Sequence, residues 1–203
     1  MKKLSLVIVV LLNVFFTNAQ QRNCGTMQHL DEIRQRDPGV DNRMDVENLD
    51  IKHWISNNTS SSKSMPNIIT IPVVVHVIYK NSSQNISDAQ IFSQIEVLNN
   101  DFRRTNVDVI NTPSVWQGIA ADSEIEFCLA QTDQNGIATT GIERVQTTQT
   151  SFGMSGDPVM SVASGGADPW NQDDYLNIWV CDLGSGLLGY ASPPSSWSNP
   201  TDG

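Results

Sequence analysis

The chain has 203 residues, which is enough for one domain with some additional sequence. Its 22 acidic residues outnumber its 12 basic residues, and the net charge of -10 disfavours nucleic acid and anionic membranes, because phosphate contacts need clustered lysine and arginine. With 39 % hydrophobic and 17 % charged residues, the chain is too apolar to be disordered throughout.

The first twenty residues have the pattern of a secretory signal peptide. Lys2 and Lys3 precede an apolar run over residues 4–16, and small or polar residues follow up to Ala19. An N-terminal membrane anchor is the alternative, but a comfortable span needs about 20 apolar residues. We therefore predict a signal peptide over residues 1–19 and a secreted, extracellular protein with no membrane association after cleavage.

A polar region follows the signal peptide. Residues 20–55 carry scattered charges, with weak helical patterning over residues 27–33. Residues 56–64 form a low-complexity polar stretch, which is typical of a linker because it cannot bury itself. We therefore interpret residues 20–64 as an appendage, namely a candidate pro-segment with its linker.

Residues 65–203 have the pattern of an α/β subdomain. The β-branched run over residues 68–79 predicts a strand buried on both faces. Ser87 and Gln90 form a capping box, and the apolar stripe after them predicts a helix up to Arg104. Further strands are predicted over residues 124–130, 175–182 and 187–191, and residues 139–150 are predicted to be extended. This order predicts a mixed, mostly parallel twisted sheet with one backing helix.

No catalytic motif is complete in the sequence. Residues 184–189 match G-x-G-x-x-G, but Pro193 and Pro194 prevent the helix that a dinucleotide site requires, so we predict a turn between strands. The three histidines share no ligand spacing, and H-E-x-x-H is absent. His76 lies within the predicted buried strand, which favours a hydrogen-bonded structural histidine.

Three aspartates form a candidate calcium site. Asp168, Asp173 and Asp174 lie close together in the sequence, and calcium prefers oxygen ligands. They lack the spacing of an EF-hand, so a solvated acidic loop is the alternative. Calcium is therefore kept only as a possible cofactor.

Seven short segments match one known family in their order along the chain. They are residues 22–26, 71–77, 93–103, 125–130, 141–144, 176–180 and 187–191. Together they resemble the N-terminal portion of the pappalysin (pregnancy-associated plasma protein-A) family of secreted zinc metalloproteases. The resemblance implies the N-terminal subdomain of a metzincin-like metalloprotease, preceded by a signal peptide and a pro-segment, and a protein or peptide substrate.

The family's catalytic motif has no counterpart in this sequence. Family members carry H-E-x-x-H-x-x-G-x-x-H and a Met-turn C-terminal to the matched region, whereas this sequence stops at Gly203. The resemblance therefore implies a zinc metalloendopeptidase precursor whose catalytic residues and zinc ligands lie beyond Gly203, with none within this chain. We expect this chain alone to be inactive. The alternative is an exported, non-catalytic binding or adhesion module.

The resemblance gives Cys24 a role in latency. This residue matches the pro-segment cysteine that blocks the zinc, and a thiolate is a strong zinc ligand. The alternative is a cysteine that is paired elsewhere or incidentally free. If Cys24 is free, Cys128 and Cys181 remain to form a disulfide.

The resemblance also assigns an edge strand above the active-site cleft. Its residues are Leu187, Leu188, Gly189, Tyr190 and Ala191. Such a strand binds an extended peptide through main-chain hydrogen bonds. An ordinary edge strand or turn is the alternative.

Overall fold

The structure is a computed structural model that describes residues 23–58 and 68–192. The predicted signal peptide, most of the predicted linker and the boundary at residue 64 lie outside these residues. Within the described ranges, no helix is both long enough and apolar enough to cross a bilayer.

Four α-helices and six strands are assigned in the described residues. The helices are α1 (Thr26–Arg36), α2 (Val40–Asn58), α3 (Asp88–Phe102) and α4 (Ser114–Gln117). The strands are β1 (Asn23–Cys24), β2 (Ile69–Tyr79), β3 (Ile125–Leu129), β4 (Ile142–Gln146), β5 (Leu176–Val180) and β6 (Leu187–Gly189). Helix α2 extends into the predicted linker, of which residues 56–58 are helical.

Strand β2 is the centre of the main sheet. It pairs in parallel with β3 over residues 69–73, with β4 over residues 75–79 and with β5 over residues 73–77. Residues 73–78 are buried, as the unbroken β-branched run predicts for a strand that is covered on both faces. The predicted fold class, a mostly parallel α/β sheet, is confirmed.

Helix α3 covers one face of this sheet. Its N-terminus has the predicted capping box between Ser87 and Gln90. Ile91 packs with the buried valines of β2 and with Phe127 of β3. The Asn99 side chain accepts a hydrogen bond from Phe127 N at 2.7 Å and donates one to Phe127 O at 3.0 Å. The predicted backing helix is therefore confirmed, and it is fixed to β3 by both packing and hydrogen bonds.

The loop over residues 151–172 covers the opposite face. Ile78 of β2 packs there with Phe152, Val159 and Ala167. A second feature of this face is His76, which is fully buried. The loop therefore completes the core on this face.

His76 joins three strands of the sheet. Its Nδ1 lies 2.6 Å from Oε2 of Glu143 on β4, and its Nε2 lies 3.0 Å from Oδ1 of Asn177 on β5. Its ring stacks on Trp179 with the ring centroids 4.9 Å apart. The predicted structural, hydrogen-bonded histidine is confirmed.

Strands β1 and β6 form a separate two-stranded parallel sheet. The sequence predicted a strand over residues 187–191, whereas β6 ends at Gly189. The turn before it has positive φ at Ser185 (59°) and Gly186 (73°), a left-handed conformation that suits a tight turn. The G-x-G-x-x-G match is therefore a turn between strands, as predicted.

The predicted disulfide between Cys128 and Cys181 is incompatible with this fold. Both residues, and the remaining cysteine, are free thiols. Cys128 lies opposite Pro72, whereas Val180, the neighbour of Cys181, lies opposite Val77. Five residues along a strand correspond to about 16 Å, and a disulfide needs Cα atoms within roughly 7 Å.

Candidate functional site

The structure brings together two sites that the sequence predicted separately. Strand β1 carries Cys24, and it pairs with β6, which contains most of the predicted edge strand. Asn23 N donates to Gly186 O at 3.0 Å, and Gly25 N donates to Gly189 O at 2.8 Å. The candidate pro-segment therefore pairs through its main chain with the region of the predicted edge strand.

Gly25 allows this close approach. A Cβ at this position would lie 3.0 Å from both Leu187 Cδ2 and Met154 Sδ, and 3.6 Å from Tyr190 Cβ. Contacts at 3.0 Å are tighter than real Cβ atoms normally make. Both atoms lie at the ends of flexible side chains, so a larger residue here would require Leu187 and Met154 to shift, and glycine makes the close approach to β6 easier.

The Cys24 thiol is exposed and lies next to Thr26. Cys24 Sγ lies 3.3 Å from Thr26 Oγ1. Hydrogen bonds from the hydroxyl and then from the backbone N–H of Thr26 lower the pKa of the Cys24 thiol. The same hydroxyl accepts a bond from Ala191 N at 3.2 Å, so the thiol and the end of the predicted edge strand share one partner. A lowered pKa favours the thiolate, which is the metal-binding form.

Removing the Thr26 hydroxyl is expected to raise the pKa of Cys24. Thr26→Val should move the pH profile of Cys24 alkylation to higher pH, because less thiolate is present at a given pH. Thr26→Ser keeps the hydroxyl and should leave the profile close to that of the wild type. Site-resolved mass spectrometry after timed iodoacetamide labelling measures the rate.

Cys181 provides an internal control for this labelling. Burial, followed by the charge of Asp182, raises the pKa of Cys181 to about 12, so this thiol should stay nearly unreactive at neutral pH. Identical Cys24 profiles for Thr26→Val and Thr26→Ser would show that the hydroxyl does not activate the thiol.

Helix α1 attaches the candidate pro-segment through a polar and partly buried face. His29 is fully buried, its Nε2 lies 3.1 Å from Ser192 Oγ, and its ring centroid lies 4.7 Å from that of Tyr190. Further along the helix, an Arg36 N–H donates to Asp157 Oδ2 at 3.2 Å. These contacts were not predicted from the sequence.

In the sequence, this face of α1 could have been found only from the spacing of residues 26, 29, 33 and 36. Intervals of three and four residues lie on one side of a helix. This spacing identifies a face, but it does not identify the surface that the face contacts.

An apolar groove of about 410 Å³ borders β6. Its lining includes Trp179 of β5, Met160 of the covering loop, and Leu188 and Tyr190. The predicted edge strand therefore lies beside a groove.

The described residues do not form a metal site by themselves. Within residues 23–58 and 68–192, no three His, Cys, Asp or Glu side chains converge in a way that could hold an ion. Asp168 Oδ1 accepts from Val162 N at 2.9 Å, and Asp174 Oδ2 accepts from the Asn171 amide at 2.8 Å. These aspartates fix the loop, and the calcium prediction finds no support. Cys24 has the donor chemistry of a zinc ligand, but it is a single donor.

Solved structures of mirolysin are similar to this chain. Tannerella forsythia mature mirolysin in complex with a cleaved peptide is 54 % identical with a TM-score of 0.65, over 68 % of this chain and 52 % of that one. Mirolysin in complex with compound 9 is 53 % identical with a TM-score of 0.65, over the same shares. A Tannerella forsythia promirolysin mutant is 47 % identical with a TM-score of 0.71, over 90 % of this chain and 58 % of that one.

These similarities support a metalloprotease precursor. The promirolysin match also includes the pro-segment, in agreement with the predicted metzincin-like fold. The chain spans between 52 % and 58 % of the length of the mirolysin structures it matches. No protein-family model and no curated protein matches the chain.

Proposed function

We propose that this chain is the pro-segment and N-terminal subdomain of a secreted zinc metalloendopeptidase zymogen of the pappalysin type. One observation carries the proposal. The chain at β1 donates main-chain hydrogen bonds to the carbonyl groups of Gly186 and Gly189 at the two ends of β6, and Cys24 lies opposite Gly189 in that pairing. A segment held in this way excludes a substrate strand and brings a thiol to the same edge.

The coverage of the two mirolysin forms supports the proposed division of the chain. The promirolysin match covers 90 % of this chain and the mature match covers 68 %. The precursor form therefore matches more of this chain than the mature form does, which favours a segment present only in the precursor. We propose that this segment is the pro-segment with its linker over residues 20–64, between a signal peptide over residues 1–19 and a protease subdomain over residues 65–203.

Cys24 is proposed as the residue that keeps the zymogen latent. In the intact protease, a zinc ion would polarise the scissile carbonyl and activate water. The Cys24 thiol is exposed and its pKa is lowered, so it is suited to occupy the coordination position that this water needs. The described residues of this chain supply no other part of that site.

Strand β6 is proposed to bind the substrate peptide after the pro-segment leaves. Loss of β1 would free the carbonyl groups of Gly186 and Gly189 for an extended protein or peptide segment. Mature mirolysin was solved with a cleaved peptide, which supports a peptide substrate for this chain as well. The similarity to a protease favours this reading over a non-catalytic adhesion module.

A chimera tests the proposed function. Residues 20–203 replace the matching part of promirolysin, and the rest of that protein is kept. The chimera should be latent, and after removal of the pro-segment it should cleave peptides in a chelator-sensitive manner. Residues 20–203 alone, assayed in parallel with added zinc, should not cleave. Chelator-sensitive cleavage by that shorter protein would contradict the proposal, as would a correctly folded chimera that stays inactive after processing.

A further inference from the structure

A buried carboxylate, that of Asp157, lies near two buried polar groups where α1 meets the subdomain. His29 Nδ1, Asp157 Oδ1 and the Tyr190 hydroxyl are buried and have no hydrogen-bond partner. His29 Nδ1 lies 3.6 Å from Asp157 Oδ1, which is within ion-pair distance but too long for a hydrogen bond. Burial, and then the charge of Asp157, raise the pKa of Tyr190, so its hydroxyl stays protonated and can donate.

Asp157 also has a charged partner on α1. Arg36 donates to Asp157 Oδ2 at 3.2 Å, with Asp157 only 5 % exposed and Arg36 42 % exposed. A buried carboxylate is costly unless it is paired with a positive charge or with hydrogen-bond donors. When α1 is docked, two of its side chains, His29 and Arg36, face this carboxylate.

Strand β1 needs such support because it is short. It has two residues, and the chain around it makes two main-chain hydrogen bonds to the β6 region. An isolated pairing of this size is not stable in water. The register that brings Cys24 opposite Gly189 must therefore be held by contacts further along the pro-segment, and α1 supplies them.

We propose that His29, Arg36 and Asp157 form a contact, called the latch below, that docks the pro-segment on the subdomain independently of the Cys24 thiol. The latch holds α1 on the subdomain and thereby sets the register of β1 on β6. This inference rests on the proposed zymogen function, because it assigns a regulatory contact to the same site. It concerns docking, however, and requires neither the thiol nor a metal.

Hydrogen exchange on residues 20–203 tests the latch. Asp157 has φ of 51°, and asparagine tolerates this left-handed conformation, so Asp157→Asn removes the charge without new backbone strain. We expect at least about tenfold faster exchange for the amides of α1, with unchanged exchange for those of β2. Asp31→Asn is the matched control, because Asp31 pairs with Arg34 on α1 but is 65 % exposed. Its effect should stay within about twofold.

A double-mutant cycle separates the latch from general loss of stability. If His29 and Asp157 act together, the combination of His29→Gln and Asp157→Asn should accelerate α1 exchange no more than the larger single change does. The proposal would be overturned if the two single changes multiplied fully in the exchange rates of the double variant. It would also be overturned if Asp157→Asn left α1 exchange unchanged or accelerated β2 exchange equally. Repeating the measurement with Cys24→Ser should leave α1 protected, so failure of the thiol role and failure of the latch give different results.

Discussion

Replacing Cys24 with serine in the mirolysin chimera is expected to abolish much of its latency. The serine is close to cysteine in shape, but its hydroxyl is a far weaker zinc ligand than a thiolate at neutral pH. Loss of a direct ligand should weaken the blocked state by at least about tenfold, since changes in merely supporting groups already cost 10- to 100-fold in metal affinity. The rate of fluorogenic peptide cleavage by the unprocessed chimera measures this effect.

Cys128→Ser in the same chimera is the matched control. Cys128 is also a free thiol, but it lies on β3, in the main sheet and not in the two-stranded sheet of β1 and β6. This variant should remain as latent as the parent. If Cys24→Ser is equally latent, the thiol is not the block, and the β1–β6 pairing together with α1 would have to account for latency.

Gly166→Ala is expected to be the most destabilising small substitution in the covering loop. A Cβ at residue 166 would lie 1.9 Å from the carbonyl oxygen of Val159, a backbone atom that cannot rotate away. That same oxygen accepts the hydrogen bond from Ala167 N at 3.0 Å, so relieving the clash also breaks a loop contact. We expect a loss of about 3 kcal/mol or more in the free energy of unfolding, measured by urea denaturation of residues 20–203.

Gly118→Ala provides the comparison for this prediction. Gly118 has φ of −74° at the end of α4, and a Cβ there would have no heavy atom within 4 Å. Its effect should stay within about 1 kcal/mol. A Gly166→Ala protein with the same urea midpoint as Gly118→Ala would mean that the loop does not pack on itself as described. The loop matters for the site because it also carries Asp157.

Local patterns were sufficient to predict the main sheet and its helix. The β-branched run of β2 predicts burial on both faces, because only a central strand has apolar neighbours on each side. The capping box at Ser87 predicts the start of α3 to within one residue, because its two hydrogen bonds lie within four residues of sequence. The turn before β6 could be predicted because Gly184 and Gly186 are closely spaced and because two prolines after β6 exclude a helix there.

The same local patterns could not predict which segments meet. Helix α2 was missed because its apolar residues are spread around it, and Trp54 is 67 % exposed. The proposed disulfide was wrong because it was inferred from the number of cysteines alone, and that number does not indicate which residues lie opposite each other in the sheet. His29 and Asp157 were missed because an isolated histidine and a loop aspartate have no motif in common.

The sequence alone determined the parallel α/β subdomain and predicted an exported protein, because signal patterning, hydrophobic periodicity and capping are encoded within a few consecutive residues. The two segments of the candidate site were predicted from the family resemblance. Only the tertiary structure decided that the strand of Cys24, β1, pairs with β6 and that α1 contacts Asp157. Thr26 and Ala191 are separated by 165 positions, and such a contact depends on the packing of the whole sheet between them.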